Sequence, residues 1–170
     1  GQAVTTGTQN TLIGGLAGDA QTTSSGNTAL GYAALTDNVL GSNSVAIGRD
    51  ALNGQNPATA TDMYNVAVGN SCGEAITTGI NNTLIGGDAG KKAVATQRNT
   101  VVGTFALDNC SHGSRSTAIG YAALSAQDYG TTATDSHNTA VGNEAGLAVT
   151  TGYENTFVGS IAGDGTDDGI

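Results

Sequence analysis

Tryptophan is absent from this 170-residue chain, proline and methionine occur once each, and aromatic residues make up 4%. The large side chains that usually fill a compact core are therefore scarce. Charge is scarce too, at 11%, and positive charge most of all: five Lys and Arg stand against 14 Asp and Glu, a net charge of −9. That balance argues against nucleic acid as a partner, because phosphates are bound by Lys and Arg. It also argues against charge-driven binding to anionic membranes. No run of 18 apolar residues exists, so no membrane-spanning helix is expected and no direct membrane insertion of this segment. A basic and apolar leader is missing at the N-terminus, and the chain starts and stops close to a repeat. It reads as a fragment of something longer.

Cysteine is nearly missing as well. Cys72 and Cys110 fall in rungs that a parallel stack would hold roughly 10 Å apart, beyond the roughly 7 Å Cα reach of a disulfide. Neither has metal-type spacing to the other or to His112 and His137. No metal or cofactor is expected.

What the chain does have is 27 glycines and a repeat. An Asn-Thr-apolar-aliphatic-Gly motif recurs nine times, ending at Gly14, Gly31, Gly48, Gly69, Gly86, Gly103, Gly120, Gly142 and Gly159. The glycine-to-glycine spacings are 17, 17, 21, 17, 17, 17, 22 and 17. A period that holds, slips and resumes describes stacked units with loops inserted between some of them. The fold class expected is all-β, a parallel β-solenoid of nine rungs of about 17 residues over 1–170. At about 4.8 Å per rung its length is on the order of 45 Å.

Aligned on the glycine, each column has a physical meaning. The residue before it is Ile13, Leu30, Ile47, Val68, Ile85, Val102, Ile119, Val141 or Val158, a mostly β-branched set suited to strands and read as structural core. The preceding column, from Leu12 to Phe157, is apolar too. Adjacent strand residues face opposite ways, so two apolar columns imply a strand covered on both sides. One side lines the coil; the other needs a cover, expected to be another copy of the chain in a trimer. Three residues past the glycine stand eight alanines and Cys72, which reads as a small core residue. The next column alternates Gly with Leu, two ways of turning a corner. Four residues before the glycine, seven Asn and two Ser predict a side-chain hydrogen-bond ladder.

Two connections are longer, residues 53–64 and 125–137, and each holds a Tyr and a Thr-Ala-Thr-Asp string. Loops on a rigid scaffold are common places for binding. The candidate binding residues are Gln55, Asp62 and Tyr64 in the first, and Asp128, Tyr129 and Asp135 in the second. The alternative is tolerated surface insertion.

The stretch Asn43-Ser-Val-Ala-Ile-Gly48 resembles the repeat signature of the heads of YadA-type trimeric autotransporter adhesins. Asn27-Thr-Ala-Leu-Gly-Tyr-Ala-Ala-Leu35 and Ser116-Thr-Ala-Ile-Gly-Tyr-Ala-Ala-Leu124 are similar to repeats of phage tail fibres. The resemblance covers about residues 10–163. It implies a left-handed β-roll in a homotrimer, a non-enzymatic fibre attaching to a cell-surface receptor, glycans among the candidates. The implied location is extracellular, on a bacterial surface or a virion tail fibre. The period is longer than that of the usual adhesin head, and the choice between bacterial and viral origin stays open.

Chemistry is hard to place. His112 and His137 belong to no motif, the glycine-rich segments lack a Gly-Lys-Ser/Thr ending, and no glycosidase carboxylate pair can be nominated. Gly163-Asp-Gly-Thr-Asp-Asp-Gly169 offers oxygens to Ca²⁺ without an EF-hand spacing, and reads as a solvated end or linker. Further alternatives are a lectin-like head using the long loops, a glycan-cleaving spike, and an ice-binding solenoid. The last needs a regular Thr array, which Val45 and Val66 interrupt.

Overall fold

A computed structural model describes residues 1–165. The Ca²⁺ candidate stretch lies mostly outside them. Every strand is short and parallel. In chain order they are β1 (Thr11–Ile13), β2 (Thr28–Leu30), β3 (Gly41–Ser42), β4 (Val45–Ile47), β5 (Thr61–Asp62), β6 (Val66–Val68), β7 (Thr83–Ile85), β8 (Thr100–Val102), β9 (Gly113–Ser114), β10 (Thr117–Ile119), β11 (Thr134–Asp135), β12 (Thr139–Val141) and β13 (Thr156–Val158). Nine of them, one per motif, form a single sheet in sequence order. Each residue pairs with its equivalent one rung on, as Thr11 with Thr28 and Ala29 with Ala46. No helix occurs among the described residues. The chain is an all-β parallel solenoid of nine rungs.

The pleat decides what is inside. The middle residue of each strand points inward: Ala29, Ala46, Ala67, Leu84, Val101, Ala118 and Ala140 are buried. The pre-glycine column, read above as core, points outward instead: Ile13 is 57% and Val158 70% exposed, with Leu30, Ile85 and Ile119 also exposed. Ile47, Val68, Val102 and Val141 on the same face are half-buried. Side chains alternate along a strand, so only one of two adjacent apolar columns can line the coil.

Interior volume is shared between columns. Leu35, Leu52, Leu107 and Leu124 fill the coil from the fourth position past the glycine. Where that position is Gly, large side chains of the same or a neighbouring rung occupy the space. A Cβ on Gly90 would meet Leu84, one on Gly163 would meet Phe157, and one on Gly18 would meet Leu12 and Gln21. Both residue types take a left-handed backbone there, φ +53° at Leu35 and +58° at Gly90. The motif glycines are invariant for a different reason. Their φ runs from +129° to +144°, and in the first eight a Cβ would run into the backbone of the next motif glycine.

The Asn column forms the expected ladder. Asn82 Nδ2 donates to the Thr96 carbonyl at 2.8 Å, and the Asn99 N–H donates to Asn82 Oδ1 at 3.1 Å. Asn27, Asn65, Asn99 and Asn138 make equivalent bonds to carbonyls 14 residues on. The two Ser rungs are bridged from within. Ser44 Oγ donates to Gln55 Oε1 at 3.2 Å, as does Asn65 Nδ2 at 3.0 Å. Asn138 Nδ2 donates to Gln127 Oε1 at 2.7 Å, and Ser116 Oγ bonds Ser136 Oγ at 2.8 Å.

These bridges show a longer period. The spacings 17, 17, 21, 17 recur as 17, 17, 22, 17, so four rungs form one block of about 72 residues. Ser44 and Ser116, and Gln55 and Gln127, are 72 apart. The pairs β3–β5 and β9–β11 repeat at 72 residues for the first strand and 73 for the second, whose insertion is one residue longer.

Candidate functional site

The two long connections are copies of one device. Each adds a short strand beside the preceding rung, β5 on β3 and β11 on β9. Each then carries one residue more than its partner before the ladders resume: three residues separate Asp62 from Val66 where two separate Ser42 from Val45. That bulge turns Met63 and Ser136 inward and leaves Tyr64 and His137 outside.

The six loop candidates separate by role. Gln55 is fully buried and forms the Ser44–Asn65 bridge, so it cannot meet a ligand at the surface. The bonding deficit left by a short Ser in the Asn ladder draws it inside. Tyr129 packs against the core and donates to the Gly152 carbonyl at 2.6 Å. Burial pushes its hydroxyl up to about 12. Asp128 ties the loop base, accepting from Ser111 Oγ at 2.6 Å and from the Gly130 N–H at 3.1 Å. Burial raises its carboxyl, but those bonds and the Ser111 N–H together outweigh it and hold the group below its ordinary value. Asp62, Tyr64 and Asp135 remain at the surface.

Those three join residues that the loop reading missed. Asn43 Nδ2 donates to Asp62 Oδ1 at 2.8 Å, and the Tyr64 hydroxyl donates to Asp62 Oδ2 at 3.4 Å. In the second copy Arg115 Nε pairs with Asp135 Oδ1 at 3.0 Å, and His137 Nδ1 lies 3.1 Å from the Asp135 carbonyl. The copies are four rungs apart, on the order of 19 Å, and do not form one site.

Asn43, Tyr64, Arg115 and His137 all occupy the fifth position before the glycine. Gln9, Gly26, Asn81, Arg98 and Glu154 complete that column. Every member has a left-handed φ, between +49° and +71°. All but Gly26 are exposed. The corner is held in line by backbone bonds one rung down, as Arg98 N–H to Ile80 O at 3.1 Å and Arg115 N–H to Gln97 O at 2.9 Å. The repeat alignment contains this column, and its signal is a run of planar polar side chains.

Nucleophile and metal chemistry find little footing. Cys72 and Cys110 are free and buried. Burial pushes the Cys72 thiol up to about 12 and also raises Cys110. Among the described residues no His, Cys, Asp and Glu group is placed to hold a metal, no cavity opens, and no helix is long and apolar enough to cross a membrane. No protein-family model, curated protein or solved structure matches this chain.

Proposed function

We propose that this chain is a non-enzymatic segment of an adhesive fibre, a left-handed β-roll that assembles as a homotrimer and serves in attachment to a cell surface. The observation that carries the reading is the outer face of the nine-stranded sheet. Its pre-glycine column is aliphatic in every rung. It widens at both ends of the stack, with Leu16 and Tyr32 toward one and Phe105, Tyr121 and Ile161 toward the other, all exposed. Phe105 and Tyr121 already stack edge-on with centroids 5.9 Å apart. Nine rungs at about 4.8 Å and five residues at about 3.4 Å make a strip on the order of 700 Å². If covered along its whole length, a strip of that size approaches one partner's share of a standard interface. Polar breaks at Arg49, Asp50, Asn70, Asp88, Asn143 and Glu144 divide the strip. A closed ring of copies covers such a face without leaving an edge. The motif's resemblance to adhesin-head and tail-fibre repeats supports the same assembly and an extracellular place for it.

Light scattering with circular dichroism on one sample tests the proposal. A β-rich species of about three times 16.6 kDa is expected. Ile119→Asp should shift it toward smaller species or aggregates. A soluble β-rich monomer that is indifferent to Ile119→Asp would overturn the assembly and leave the outward Thr-x-aliphatic rows free for another use, such as ice binding.

A further inference from the structure

We infer that the corner column five residues before the motif glycine is a binding ridge for an acidic polysaccharide, a chain of uronate- or sulfate-bearing sugars lying along the solenoid axis. The inference deepens the attachment reading by naming a ligand class, and it relocates the contact from the long loops to the ridge beside them.

The first argument is conformational. A left-handed φ suits Gly and Asn and is unfavourable for other side chains with a Cβ. The solenoid has several such positions per rung. At the Leu corners the cost is offset by complete burial of Leu35, Leu52 and Leu124. At the ridge burial does not offset it, and only surface contacts do so, from Tyr64 to Asp62 and from Arg115 and His137 to Asp135. Tyr64, Arg98, Arg115 and His137 hold φ values of +50°, +57°, +63° and +49° while exposed. Exposed side chains take the same φ at Leu16, Phe105 and Ile161, so the ridge is set apart by the polar and charged side chains it carries there rather than by the backbone alone.

The second argument is electrostatic. The chain has five Lys and Arg and a net charge of −9, yet Arg98 and Arg115 occupy the same column on successive rungs, with His137 and then Glu154 on the two rungs after them. Like charges side by side on neighbouring strands are unfavourable. Arg115 is partly compensated by Asp135. Arg98 has no ion-pair partner among the described residues. A guanidinium left free beside another in an acidic chain is placed for an anion from outside, and its planar fork matches carboxylate and sulfate. The overall negative charge is screened beyond about 8 Å at physiological salt, so it does not cancel this local field.

The third argument is spacing. The rungs repeat at about 4.8 Å. That is close to the rise of one sugar in an extended glycan, so successive ridge residues can meet successive sugars. Tyr64, Asn81 and Asn43 add a ring face and amide groups suited to hydroxyls.

The test is binding of the whole chain to immobilised alginate and heparin, with dextran as the neutral comparison. Arg98→Asn with Arg115→Asn removes the charges and installs the residue that the backbone prefers, so the fold and the scattering mass should not change. Lys91→Asn with Lys92→Asn removes the same charge from another column. We expect binding to at least one acidic polymer, weakened several-fold from about 50 to about 300 mM salt. It should fall at least tenfold in the Arg variant and hold in the Lys variant. Equal loss in both variants, equal binding to dextran, or no binding to either acidic polymer would overturn the inference. So would complete competition by millimolar inorganic sulfate alone, which would mark a single-anion contact. The oligomer proposal is read separately, from the mass.

Discussion

The sharing of interior volume between columns makes a double substitution informative. In rung five Leu84 lies over Gly90, whose Cβ would sit 3.1 Å from Leu84 Cδ2. In rung two the same places hold Ala29 and Leu35. Leu84→Ala alone empties a buried site and should cost roughly 2–5 kcal/mol. Gly90→Leu alone crowds Leu84 and should cost about 1–3 kcal/mol. The backbone is no obstacle, since φ is +58° at Gly90 and +53°, +48°, +49° and +52° at Leu35, Leu52, Leu107 and Leu124. Together the two changes recreate the rung-two arrangement. Leu84 also covers Gly73 on the neighbouring rung, so rescue is incomplete. The double variant should be more stable than the sum of the singles predicts by about 1–3 kcal/mol. Urea unfolding followed by far-ultraviolet circular dichroism, at one protein concentration, measures this, because assembly makes stability concentration-dependent. Strict additivity would refute the idea that Gly and Leu corners are two solutions to one packing problem.

Three further outcomes follow from named contacts. Asn82→Ala leaves the buried Asn99 N–H and Thr96 carbonyl without their partner and should cost about 2–4 kcal/mol, read as a shift in the urea midpoint. Cys72 should resist a thiol reagent at pH 8 in the native protein and react after denaturation, because burial pushes its thiol up to about 12. Prompt native labelling of Cys72 in a Cys110→Ser variant would contradict its place inside the coil. Asp128 is held below its ordinary value in the folded chain, so it contributes stability above the unfolded carboxylate range, near pH 3.9. That contribution is lost as pH falls through the folded value, and Asp128→Asn should flatten the acid limb of a stability–pH curve.

Much of this architecture is legible in the repeat itself. The nine motifs, the Asn ladder and the small-residue column are direct consequences of a repeated backbone that demands the same residue at the same place. The four-rung block was also present in the spacing, in the recurrence of 21 and 22 among the 17s. Its meaning needed Gln55 and Gln127 to be seen bridging the Ser rungs. Gln55 misleads in sequence, because a polar residue in a long loop reads as surface. Only the ladder's missing partner explains why it turns inward.

The sequence by itself determined that the chain stacks, how often, and where the backbone must be glycine, since periodicity and Cβ sterics act locally. It did not determine which of two adjacent apolar columns lines the coil. Both are apolar, and the pre-glycine column holds the larger aliphatic residues, so hydrophobicity alone would send the wrong one inside. The tertiary structure decided it through the corners. The left-handed turns on either side of each strand set the direction of the pleat, sending Ala29 inward and Leu30 out. The same turns placed Tyr64, Arg98, Arg115 and His137 on one exposed edge, an alignment that exists only once successive rungs are stacked in register.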